Sequence, residues 1–212
     1  MTSPEDRIKE LARARAIGGE DVEQLLAAVR PSPVRATRNP FERWSGEVTS
    51  LVGLFVAAGG LATSRLGIRY DGALDLHYAG KPVPFGTALL DQFVAWVVTA
   101  AVLWGAARFV ARHVRFVDML GGVGASRLPA VIAAVPLAFL IPLIPRDPTK
   151  PNLAVLALVL VALAGAGLQI FLLVLGFRTA SGLRGGRLAG TFIAALLGAE
   201  VITKTILAIA LR

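Results

Sequence analysis

Cysteine is absent and histidine nearly so: the 212 residues hold no Cys and only His77 and His113. Disulfides, thiolate catalysis and cysteine-bound metals are therefore excluded, and a histidine metal site has too few donors. Charge is also scarce, at 17% of residues against the ~25% usual in soluble domains. The formal net charge is +8, yet no basic stripe with interleaved aromatics accompanies it, so nucleic acid is not an expected partner. Catalytic signatures are missing too. There is no Gly-x-Ser-x-Gly elbow, no His-Glu-x-x-His and no phosphate-cradling loop. Gly121-Gly122-Val123-Gly124 is too compact for a nucleotide loop and lacks a following Lys-Ser/Thr. The expectation is a non-enzyme without cofactor or metal. The start, Met-Thr-Ser-Pro-Glu-Asp, has no basic stretch leading into an apolar core, so no cleavable leader is expected.

What the chain has in abundance is apolar length. Hydrophobic residues make up 55%, and the mean hydropathy is +0.67. Five runs stand out, at 48–64, 89–107, 128–144, 153–176 and 188–211. A helix rising ~1.5 Å per residue needs about 20 residues to cross a ~30 Å hydrocarbon core. Soluble helices apolar on all faces would have no polar side to give to water. The reading is all-α: a polytopic five-span bundle with a small cytoplasmic helical hairpin. Its parts are a hairpin at 1–30, a linker and interfacial segment at 31–47, and a membrane domain at 48–212.

The head is richly charged but balanced, with eight Lys/Arg against seven Asp/Glu in residues 1–44. Ser3-Pro4-Glu5-Asp6 starts one helix with a capping serine, a first-turn proline and two acids. Ile17-Gly18-Gly19 breaks it, and Glu20-Asp21 opens a second helix carrying Val22, Leu25, Leu26 and Val29 on one face. A unit this small, below the ~40 residues under which lone domains seldom fold, cannot bury that stripe itself. Leu25, Leu26 and Val29 are therefore the candidate partner-binding residues, to be covered by a second copy, another protein, the membrane surface or the protein's own loops. The hairpin resembles the short SHOCT-type hairpins of bacterial proteins. Phe41 and Trp44 suit headgroup level.

Basic residues orient the spans. Arg30, Arg35, Arg38, Arg43, Arg108, Arg112, Arg115, Arg127, Arg178, Arg184 and Arg187 fall on one side, eleven in all. Arg65, Arg69, Lys81, Arg146, Lys150 and Arg212, six in all, fall on the other. The positive-inside rule then puts the head in the cytoplasm and the C-terminus outside an inner (plasma) membrane. Membrane lipids are expected partners. The outer loop at 69–86 reads as a capping hairpin, a strand from Leu74 to Tyr78 turning at Ala79-Gly80-Lys81 and returning through Val83 and Phe85. The inner loop at 107–128 reads as an interfacial helix, broken at Gly121–Gly124 before the third span.

Charges within the spans are few. Glu200 falls near the bilayer middle, where a lone charge costs at least ~2.5–3.5 kcal/mol on insertion scales. Lys204 lies one turn on, so the two read as an intramembrane ion pair. Gln169, mid-span in the fourth run, has Glu200 or a nearby backbone group as its partner. Gly182, Gly186, Gly190 and Gly198, with Ala194, form a small-residue ladder that predicts a close helix crossing. Asp91 reads as a helix-start acid.

From Phe116 to Leu211 the order of features resembles the YIP (Ypt-interacting protein) domain family. Phe116-Val117-Asp118-Met119-Leu120, followed by Leu128-Pro129, is similar to its aromatic-x-acidic lead-in to a span opening on Leu-Pro. Leu175-Gly176-Phe177-Arg178, then Gly186-Arg187, is similar to its Gly-hydrophobic-Arg turn between the last two spans. The resemblance implies five spans with an inward head. Eukaryotic members associate with Rab-type GTPases in vesicle traffic and membrane shaping, but their Asp-Leu-Tyr-Gly-Pro-type signature is replaced here by the hairpin. The Ala/Arg/Gly/Leu-heavy, cysteine-free composition looks bacterial. The leading expectation is a membrane adaptor or scaffold that anchors the hairpin and self-associates or binds a protein through it. The alternative is a small transporter or a lipid- or ion-handling protein with a polar site near Glu200.

Overall fold

The computed structural model describes residues 4–14, 22, 26, 39–111, 113–144 and 152–211. Two compact units result, Met1–Arg43 and Trp44–Arg212. In the first, α1 runs Pro4–Arg13 with Ile8 buried and Leu11 exposed. A short helix, α2 (Pro40–Arg43), is capped by Asn39: Phe41 N–H donates to Asn39 Oδ1 (3.1 Å), and Asn39 Nδ2 donates to Glu42 Oε1 (3.1 Å). The first bond satisfies one of the donors the helix start leaves open, and the second holds the capping side chain in place. Of the expected partner stripe, Leu26 is helical and half-buried, whereas Leu25 and Val29 lie outside the described residues.

In the second unit five helices are long and apolar enough to cross a membrane: Gly46–Ser64, Phe85–Val110, Phe116–Leu143, Leu153–Ser181 and Gly185–Ala210. The first is α3 (Gly46–Ser64), started by Ser45, whose Oγ accepts from Val48 N–H. The second is α4 (Phe85–Phe93), a π-helical turn at Val94–Val98, then α5 (Thr99–Val110). The third is α6 (Phe116–Ser126), Arg127, α7 (Leu128–Leu140) and a 3₁₀ turn at Ile141–Leu143. The break at Arg127 has a plain cause, because Pro129 has no amide to bond back to Ala125. The last two are α8 (Leu153–Ser181) and α9 (Gly185–Ala210). Gly182, at φ 68°, caps α8 by donating to Arg178 O. That left-handed conformation favours glycine.

The third span corrects the sequence reading. The stretch at 107–128 is not an interfacial helix. Residues to Val110 finish the second span, 111–115 link the two, and Phe116 already opens the third. Gly121–Gly124 is not a break but part of α6, and residues 121–127 are all buried. In water such glycines weaken a helix; in lipid they let backbones approach. A Cβ on Gly121 would lie 2.0 Å from Thr49 Oγ1, and one on Gly124 would lie 2.7 Å from the Gly53 Cα. On another side of α6, Gly122 faces Gly176 of α8, whose Cβ would lie 3.1 Å from the Gly122 Cα. Trp96, carried by the π-helical turn, wedges between Gly53 and Gly124 and donates its indole N–H to Leu120 O at 2.8 Å.

The ladder of Gly182, Gly186, Gly190 and Gly198 therefore does not make the close crossing expected of it within the chain. Nothing lies within 4 Å of a Cβ built at any of the four. Instead α9 packs on α5, where Phe192 meets Phe177 of α8 edge-on at 5.5 Å. Outward, Phe55 is 77% exposed, Phe139 64% and Leu197 65%. Large apolar side chains at such exposure are those of a surface facing lipid rather than water.

Candidate functional site

The segment between α3 and α4 enters the bundle rather than capping it. Two-residue strands β1 (Ile68–Arg69) and β2 (His77–Tyr78) pair antiparallel, with Ile68 opposite Tyr78 and Arg69 opposite His77. The return arm expected through Val83 and Phe85 does not form: Pro82 and Pro84 lack amides, and Phe85 opens α4. Residues 70–76 lie between the strands, and Ala73 meets Gln169 of α8. Gln169 lies 16 residues, or ~24 Å, along α8 from Leu153. Glu200, which meets the same loop, lies 10 residues, or ~15 Å, along α9 from Ala210. Irregular backbone at such depth survives only where protein surrounds it and satisfies it.

Each span supplies a partner. From α3, Thr63 Oγ1 and the Tyr70 hydroxyl share a 2.8 Å hydrogen bond, and burial pushes the Tyr70 phenol up. From α4, Asp91 accepts two hydrogen bonds from Arg69, both at 2.9 Å, and holds that guanidinium above its ordinary value. Asp91 is fully buried in the seventh position of its helix, so it is not the helix-start acid the sequence suggested. From the third span, Arg127 lies over the Tyr70 ring at 5.3 Å. From α8, Gln169 Nε2 donates to Ala73 O (3.3 Å), choosing backbone over Glu200. From α9, Glu200 Oε2 accepts from Leu74 N–H (3.2 Å). Gly72 has no side chain because Glu200 occupies its place, a Cβ there falling 2.4 Å from Oε1.

Lys204 does contact Glu200, at 3.5 Å, but its nearer partner is Asp75 at 2.6 Å. This changes the expected mutational pattern from that of an isolated pair. Glu200→Leu removes the acceptor of a part-buried backbone N–H and should cost about 1–3 kcal/mol. Lys204→Leu breaks contacts of a half-exposed ammonium and should cost about 1 kcal/mol or less. The double variant should be no more stable than Glu200→Leu alone, as read by denaturation in detergent. A double variant more stable than Glu200→Leu would restore the isolated-pair picture.

Sequence reasoning missed Arg127, which it counted among the cytoplasmic loop charges. It lies 11 residues, or ~17 Å, into a 28-residue span and is 3% exposed. Among the described residues no carboxylate lies within ion-pair reach, and its Nη2 has no hydrogen-bond partner. The available signal was the apolar stretch on both sides of it, continuous from Phe116 to Leu143 but for Asp118, Ser126 and Arg127. Both amide atoms of Gln92 and Thr99 Oγ1 are likewise buried without a partner. Among the described residues no cluster of three or more His, Cys, Asp or Glu is placed to hold a metal.

These features define an integral membrane protein of five spans whose bundle closes around the loop joining the first two. The Yip1 domain matches residues 30–203, so the chain belongs to the Yip1 domain family. No curated protein and no solved structure matches it. Three of the residues that carried the sequence resemblance have packing roles. Asp118 lies against Gly46 at the start of α3, where a Cβ would fall within 3.0 Å of its backbone. Gly176 meets Gly122, and Phe177 is buried beside Phe192.

Proposed function

We propose that the protein is a non-enzymatic membrane scaffold, which displays its N-terminal hairpin at the cytoplasmic face of the plasma membrane to another protein or a second copy. The observation that carries this reading is the engagement of Asp91, Gln169, Glu200 and Lys204 by a single loop. Polar groups spent on closing a bundle are not lining a path through it. The sequence pattern of Leu25, Leu26 and Val29 is the binding face of this proposal, and the exposed ladder of Gly186, Gly190 and Ala194 suits self-association. With Arg127 removed from the count, basic residues still favour the head side, ten against six.

Deleting residues 1–29, which leaves the Yip1 match intact, should preserve helicity and detergent stability while lowering oligomer size or losing a crosslinked partner. A reporter fused after Arg212 should be active only outside the cytoplasm. An unchanged assembly and an unchanged set of partners after deletion would remove the scaffold reading. A second reading, lipid or ion handling, is favoured by Arg127, since a mid-span cation with no carboxylate partner among the described residues is an unusual expense for mere packing.

A further inference from the structure

A cleft of about 360 Å³ opens between α7, α8 and the seated loop. That volume falls at the lower end of the ~300–1,000 Å³ usual for ligand sites. Its walls are apolar, with Leu137 and Ile141 on one side and Leu158 and Ala162 on the other. The two helices touch where a Cβ on Gly165 would lie 2.7 Å from the Ala133 methyl. From Ala133 to Ile144 is 11 residues, or ~17 Å, about half the ~30 Å hydrocarbon thickness. The slot is therefore one leaflet deep.

Its rim is polar and acidic. Asp75 and His77 edge the cleft, and Gln169 also lines it. Behind that edge Asp71 bonds His77, and Glu200 shares Lys204 with Asp75. Three carboxylates thus share one lysine and one histidine, while among the described residues the other cation of this cluster, Arg69, is matched by Asp91. Apolar walls of this length suit an acyl chain, and the acidic rim disfavours an anionic head.

We infer that this cleft holds one acyl chain of a phospholipid with an amine-bearing headgroup, taken from the leaflet on the loop side, with the ammonium against Asp75. The inference goes beyond the scaffold proposal and stands whether or not the hairpin binds a partner.

The test places the full chain in nanodiscs containing phosphatidylethanolamine with a photoreactive diazirine on one acyl chain, and maps the adducts by peptide mass spectrometry. Adducts on residues 130–144 and 158–166 should exceed those on the lipid-facing residues 51–55 roughly tenfold, and Ala162→Phe should abolish the excess, in line with the effect of one side chain in an apolar pocket. Ala130→Leu fills the slot from the opposite wall and serves if Ala162→Phe does not fold. Even labelling over all lipid-facing helices, or an excess that survives filling, overturns the site. The same label on phosphatidylglycerol should give fewer cleft adducts, and Asp75→Asn should erase the difference. Equal labelling by both lipids in the unaltered protein overturns the amine headgroup.

Discussion

Asp91→Ala is expected to destabilise the protein by about 3–5 kcal/mol, because it strands a partly buried guanidinium. Arg69 is 23% exposed at its side chain and Asp91 is not exposed at all, so water cannot replace the lost carboxylate from both sides. The pair is also bidentate, the geometry in which arginine and carboxylate gain most. Arg69 belongs to β1, so its release should free the loop as well as α4. Changing both residues, in Arg69→Met/Asp91→Leu, removes the stranded charge and should recover most of the loss. Denaturation in detergent, followed by helicity and by proteolysis within 69–78, reads both effects. A loss below about 1 kcal/mol for Asp91→Ala would mean that the pair behaves as an exposed surface bridge.

Gly124→Val should be still more disruptive, exceeding the ~4 kcal/mol that marks exceptional single substitutions. The new side chain starts 2.7 Å from the Gly53 Cα and 2.6 Å from the Trp96 indole nitrogen. Neither obstacle is a flexible side-chain end. Helices α3 and α6 must separate, and the Trp96 hydrogen bond to Leu120 O must break. Gly167→Ala is the matched control, since open space surrounds that position on α8. It should be neutral or stabilising by up to ~1 kcal/mol, the ordinary helix preference for alanine. Comparable losses in both variants would show that helix propensity, not the crossing, sets the effect.

The spans were legible because hydropathy and length answer directly to bilayer thickness. The third was misjudged at its start because Arg127 and three glycines read as a polar, glycine-broken loop. Both signals presuppose water: a glycine run loosens a helix only where no neighbour fills its groove. The polar residues of the last two spans were also legible, since any charge there needs a protein partner. Which partner was not. Gln169 and Glu200 share a loop 96 and 126 residues upstream, and nothing periodic in that loop announces its descent. The glycine ladder of α9 failed for a related reason. Spacing identifies a face on which close approach is possible, but the approach itself occurs where two such faces meet, as at Gly53 with Gly124.

The seated loop also sets an order for biogenesis. Leu74 leaves the ribosome 126 residues ahead of Glu200, and Asp75 leaves 129 ahead of Lys204. At synthesis rates of about 5–20 residues per second, that interval is roughly 6–25 s. During it the first two spans are available for insertion, but the loop joining them has no acceptor for its amide and no cation for its acid. Its descent has to wait for the fourth and fifth helices, so segments translated later complete the fold of an earlier one.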